Sequence, residues 1–143
     1  MTDIMIGVDG SEASMRAVDF AVEIARELEL GLIVVHVIPW SPYSFSTPDE
    51  NANRHTHRAQ EIKAAQEQVI DPALERIALS NQTAEGVVRH GHPVEVMTAL
   101  AAERGVRHII VGRTGDSRVK QILFGSTPSQ LVVSSPVPVT VVP

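Results

Sequence analysis

Five short apolar runs, separated by stretches with helical period, constrain this chain more than any other feature. The runs are Ile4–Val8, Leu32–Ile38, a weaker Thr83–Arg89 with Val87-Val88 at its centre, Val106–Val111 and Val137–Val142. Leu32–Ile38 is apolar at nearly every position, which suits a strand covered on both faces. Between the first two runs, Met15, Val18, Ala21, Val22, Ala25 and Leu28 recur at helical spacing. They predict a helix from roughly Ser11 to Leu30, with Ser11 as N-cap, Glu12 in the first turn and Gly31 as the stop. Ala59, Ile62, Ala65, Val69, Leu74 and Ile77 extend the pattern over Arg54–Ala78, where Asp71-Pro72 predicts a kink or break. A further helix opens at Pro93 and closes at Gly105. The last carries Leu131 and Val132 and ends before Pro136. Strand and helix alternate throughout, so the expected class is α/β, a parallel sheet with helices on both faces. Ligands of such sheets bind at the carboxyl ends of strands, where strand order reverses.

The 143 residues, 43% of them hydrophobic, suffice for one domain over 1–143 with a real core. A net charge of -5 argues against a nucleic-acid or membrane-surface binder. The absence of cysteine excludes disulfides, thiolate metal sites and cysteine nucleophiles. No basic leader opens the chain and no apolar run approaches the ~20 residues that span a bilayer, so a soluble cytoplasmic protein is expected.

Two strand ends carry suggestive chemistry. After the fourth run comes Gly112-Arg113-Thr114-Gly115, then nine residues, then Gly125-Ser126 and a helix start at Thr127. Glycines where a strand meets a helix let backbone N–H groups approach an anion, and a helix N-terminus favours negative charge. Thr127 and Gln130 are spaced as a capping box. Arg113, Arg118 and Lys120, offset by Asp116, give this segment a positive balance within an acidic chain. A phosphate-holding loop is one reading; a solvated glycine turn is the other. After the first run, Asp9 is placed to accept from the amino group of a base or to face a metal ion, or else to stabilise the turn itself. The G-x-x-x-x-G-K-[ST] and G-x-G-x-x-G motifs are absent, which removes Walker-type hydrolysis and ordinary dinucleotide binding.

Pro39–Asn53 has neither period and reads as a long loop. It holds Trp40, Tyr43 and Phe45 in a chain that is only 3% aromatic, so it is either packed onto the body, a lid, or a subunit contact. His36, His55, His57, His90, His92 and His108 show no H-E-x-x-H pattern and read as surface or satisfied core residues. No G-x-S-x-G elbow marks a nucleophilic serine.

Taken together, the whole chain resembles the universal stress protein family. Val8-Asp9-Gly10-Ser11 before a long helix, His36-Val37, Gly91-His92-Pro93 and Ser134-Ser135-Pro136-Val137-Pro138-Val139 all look like the family. The most specific match is G-x-x-G, nine residues, G-[ST], the signature of its ATP-binding branch, here Gly112, Gly115, Gly125 and Ser126. The resemblance implies an open five-stranded parallel sheet in the order 3-2-1-4-5, Rossmann-like, of adenine nucleotide alpha hydrolase type. It implies ATP or another adenine nucleotide, with Mg2+ a possible companion, across strands 1 and 4. Asp9 and the Val37 backbone would meet adenine or its sugar, with Gly7 and Val8 on the same edge. Gly112, Arg113, Gly115, Arg118, Gly125, Ser126 and Thr127 would hold ribose and phosphates. Lys120, Gln121 and Pro128 depart modestly from the family's pattern. The last strand, Val137–Val142, reads as an apolar edge that invites pairing, and family members dimerise through theirs, so a homodimer is expected. The implied role is a nucleotide-dependent regulatory or chaperone-like module acting on an unknown protein partner. The alternatives are a slow Mg2+-dependent ATPase or self-phosphorylating enzyme using Ser126 or Thr127, and a nucleotide-free interaction protein.

Overall fold

The computed structural model describes residues 3–39, 48–113 and 127–143, with side chains of the second helix described from residue 56 onward. The elements are β1 (Ile4–Gly7), α1 (Glu12–Leu28), β2 (Leu32–Ile38), α2 (Pro48–Ala65), a π turn (Gln66–Ile70), α3 (Asp71–Ala78), β3 (Ala84–His90), α4 (Pro93–Arg104), β4 (His108–Gly112), α5 (Thr127–Ser134) and β5 (Val139–Val142). All strand pairings are parallel and the order is β3-β2-β1-β4-β5, as the family resemblance implied.

Side-chain alternation divides the core into two layers. Ile4, Ile6, Leu32, Val34 and Ile110 face Val18, Ala21, Val22 and Ala25 of α1 with Ala73 and Ile77 of α3. Met5, Ile33, Val35, Val87, Ile109 and Val111 face Val94, Met97, Leu100 and Ala101 of α4 with Leu131 of α5. The continuous apolar runs are therefore continuous because both faces of the sheet are covered.

Three boundaries differ from expectation. Helix α1 ends at Leu28, on Glu29 in the left-handed conformation (φ 55°), and not at Gly31. Gly31 instead lies immediately before β2, its N–H donating to Asp3 Oδ2 at 3.1 Å. Helix α2 begins at Pro48, six residues before the expected Arg54, which shortens the predicted loop. Proline followed by Asp49 and Glu50 is a helix-opening sequence that the apolar period does not reveal. At Asp71-Pro72 the helix does not break. The irregularity is a π turn in which the Asp71 N–H reaches back to the Gln66 carbonyl, and Gln66 Nε2 also donates to Asp71 Oδ1 at 2.8 Å. Pro72 then enters α3 in its first turn, directly after the π turn.

The π turn needs Gly86 beneath it. A Cβ at Gly86 would stand 2.5 Å from Ile70 Cγ2 and 3.3 Å from Leu74 Cδ1. Gly86→Ala should therefore lower unfolding free energy by about 1–3 kcal/mol, read as a lower urea midpoint with an unchanged slope. At the β4–β5 pair, His108 Nε2 lies 2.6 Å from Thr140 Oγ1, and burial holds the imidazole below its ordinary pKa. The unfolded chain thus takes up this proton first, so stability present above about pH 6.5 is lost as pH falls through the folded value. Thermal unfolding followed from pH 7.5 to 5 should show a smaller loss of Tm in His108→Asn than in the parent.

Candidate functional site

The chain leaves β1 for β2 on one side and later crosses to β4 on the other, so strand order reverses beside the carboxyl end of β1. Register places Gly7 opposite Val35 of β2 and opposite Val111 of β4. Asp9, Val37 and Gly112–Arg113, far apart in sequence, are consequently neighbours along one sheet rim.

The turn after β1 is held at each residue. Val8 donates its N–H to the Val35 carbonyl at 2.9 Å. Asp9 is exposed and its Oδ1 accepts the Ser11 N–H at 2.9 Å, a local Asx turn. Gly10 takes φ +83°, a conformation that favours glycine. Ser11 caps α1, its Oγ accepting the Ser14 N–H at 3.2 Å. Ser14, which the sequence did not single out, is only 2% exposed. Its Oγ donates to the Ser11 carbonyl at 2.9 Å and lies 3.4 Å from the Asp9 nitrogen. The turn-stabilising reading of Asp9 is thus correct, and its side chain remains exposed.

At the end of β4, Gly112 is buried. A Cβ there would stand 2.6 Å from the Ala13 carbonyl carbon, 2.7 Å from its oxygen and 2.9 Å from the Ser14 nitrogen. These are backbone atoms and cannot swing aside. Gly112 is therefore glycine because the first turn of α1 rests on it, a packing reason that the sequence reading did not contain. Gly7 is less constrained. Its added Cβ would meet the flexible end of Met97 at 2.7 Å and Val111 Cγ1 at 3.0 Å. Arg113 is exposed and donates its backbone N–H to the Val142 carbonyl at 2.6 Å. Thr127, half-buried, is the first residue of α5.

On β2, His36 is half-buried and does more than fill space, because its Nδ1 contacts the Val8 carbonyl at 2.7 Å. Val37, also half-buried, packs its side chain against the α4-side core. Of the residues expected in the site, Gly7, Val8, Asp9, Val37, Gly112 and Arg113 lie together on this rim. Gly115, Arg118, Gly125 and Ser126 lie outside the described residues, as do Trp40, Tyr43 and Phe45. Elsewhere, His57 and His90 approach the two oxygens of Glu61 at 3.4 and 3.6 Å. Among the described residues no group of three or more histidines and acids is arranged to hold a metal ion, and no helix is long and apolar enough to cross a membrane. The described rim offers main-chain donors and acceptors, a carboxylate and a guanidinium, which is chemistry for holding a polar ligand.

The universal stress protein family model matches residues 1–143. Universal stress protein YxiE of Bacillus subtilis is 29% identical over 97% of both chains. The chain spans about half the length (47%) of several mycobacterial relatives to which it is 30–31% identical. Among solved structures, universal stress protein UspA from Lactobacillus plantarum superposes with a TM-score of 0.82 at 24% identity, covering 99% of this chain and 97% of that one. A universal stress protein in complex with cAMP superposes at 0.66 with 26% identity, covering 99% and 96%. A sheet of this order, with the matching sequence extending from end to end, leaves one assignment: the chain belongs to the universal stress protein family.

Proposed function

We propose that this chain is a cytoplasmic, single-domain adenine-nucleotide-binding protein, with ATP as its ligand, serving as a nucleotide-dependent regulatory or chaperone-like module. The carrying observation is the convergence of Asp9, Val37 and Gly112–Arg113 at the point where strand order reverses. The complex of a 26%-identical relative with cAMP supports an adenine ligand. In this reading the Val37 backbone and Asp9 receive the base and sugar. Arg113, Thr127 and the loop bearing Gly115, Arg118, Gly125 and Ser126 receive the phosphates. Mg2+ would reach the site with the phosphates. Binding regulates a partner only through affinity that differs between the partner-competent states, so occupancy has to change an exposed surface.

Homodimerisation belongs to the same proposal. Strand β5 is a sheet edge, its residues half-buried, and on the neighbouring α5 Val132 and Val133 are 60% and 87% exposed. An apolar edge flanked by apolar side chains favours pairing with a second copy.

Isothermal titration with ATP should show saturable binding. Asp9→Ala and Gly115→Val should each weaken it by about tenfold or more, the equivalent of roughly 1.4 kcal/mol. Variants that bind as well as the parent would contradict the assigned site. Analytical ultracentrifugation at micromolar concentration should show a dimer, and a monomer alone would remove the edge-strand interface.

A further inference from the structure

The β1–β2 ladder stops one rung early. In a parallel ladder alternate residues of one strand each donate to one residue of a given neighbour and accept from the residue two further along it. Val8 donates to the Val35 carbonyl, so the next rung would run from the Val37 N–H to the Val8 carbonyl. Among the described residues the Val8–Val35 rung is present and the Val37–Val8 rung is not. The Val8 carbonyl is met instead by His36 Nδ1 at 2.7 Å. A carbonyl only accepts, so Nδ1 carries the hydrogen and the imidazole is the donor. Strand β2 continues past this point on its other edge, pairing with β3 as far as Ile38 and His90, so Val37 is held in extended conformation. Its N–H and C=O face the side of the sheet that β1 has just vacated.

We infer that His36 is a positioning residue that ends the β1–β2 ladder, by occupying the Val8 carbonyl and so leaving the Val37 main chain open to a ligand. This rests on the adenine reading above and deepens it. An adjacent N–H and C=O in an extended strand form a donor–acceptor pair that matches the N1 acceptor and the 6-amino donor of adenine. Hypoxanthine and guanine present the opposite pattern and would be rejected. The same imidazole fixes the direction of the Val8 carbonyl immediately before Asp9, so one side chain sets both the base edge and the carboxylate turn. The design is inexpensive in structure, since the carbonyl keeps a hydrogen bond whichever group supplies it.

The test is amide hydrogen exchange by NMR on the full-length, nucleotide-free chain, which needs no variant for its first result. The Val37 amide should exchange at least about tenfold faster than that of Val35 after correction for intrinsic rates. His36→Phe should let the rung close and slow Val37. It should also weaken ATP binding by about tenfold and erode the preference for ATP over ITP. His36→Asn, whose side-chain amide can occupy the Nδ1 position, should restore both the fast exchange and the preference. A merely structural role would lower stability in both variants without moving Val37 exchange or base preference. Equal protection of Val37 and Val35 in the parent overturns the inference, as does unchanged Val37 exchange in His36→Phe. A parent that shows the exchange contrast yet ignores ATP supports the strand-end assignment and contradicts the nucleotide reading.

Discussion

Strand β1 is hydrogen-bonded on both edges and covered on both faces, and the molecule is arranged around that fourfold enclosure. Ile4, Met5 and Ile6 are at most 1% exposed. A strand so enclosed has no freedom of register, because a slip of one residue would exchange the sets facing α1 and α4. The end of β1 is therefore a fixed point in space. The turn from Val8 to Ser14 and the close approach of α1 to Gly112 inherit that fixity. Preorganisation of this kind lowers the ordering cost of binding, which is why a rigid strand end is a better platform for recognition than a free loop.

The rim divides into parts with different physical reasons for their sequences. Gly112 is imposed by packing, since the backbone of Ala13 and Ser14 occupies the space a side chain would need. Gly10 is imposed by its backbone conformation. Asp9 has a local partner in Ser11 yet remains exposed, so one residue serves both the turn and the surface above it. A glycine at a strand end is thus not by itself a sign of a bound anion. The convergence of Asp9, the Val37 main chain and Arg113 speaks for a ligand more strongly than any glycine does.

Much of this was legible in the sequence because burial on both faces writes itself as unbroken apolar runs, and amphipathic helices as a 3.6-residue period. The strands at Leu32–Ile38 and near Ile109–Val111, and the helix bearing Val18, were visible on those grounds, while the helix bearing Met97 was marked by Pro93 and Gly105 at its ends. What stayed hidden depends on partners distant in the chain. The early start of α2 is signalled by Pro48 and two acids, not by apolar period. The π turn over Gly86 requires knowing that Ile70 lies above it. His36 was readable only as a satisfied histidine, because a sequence does not show that the carbonyl it satisfies is the last one of the neighbouring strand. Ser14 was silent for the same reason, although its spacing of three from Ser11 is that of a cap and its target.

An adenine nucleotide lying across the carboxyl ends of β1 and β4 would change the surroundings of the backbone amides there. The decisive measurement is titration of ATP into isotope-labelled protein, followed by backbone amide chemical shifts. Saturable changes are expected at Val8, Asp9, Gly10, Val37, Gly112 and Arg113, with Asp3, Gly31 and Arg107 at the opposite rim of the sheet unmoved. No change on this rim, or changes concentrated at the opposite one, would contradict that placement of the nucleotide.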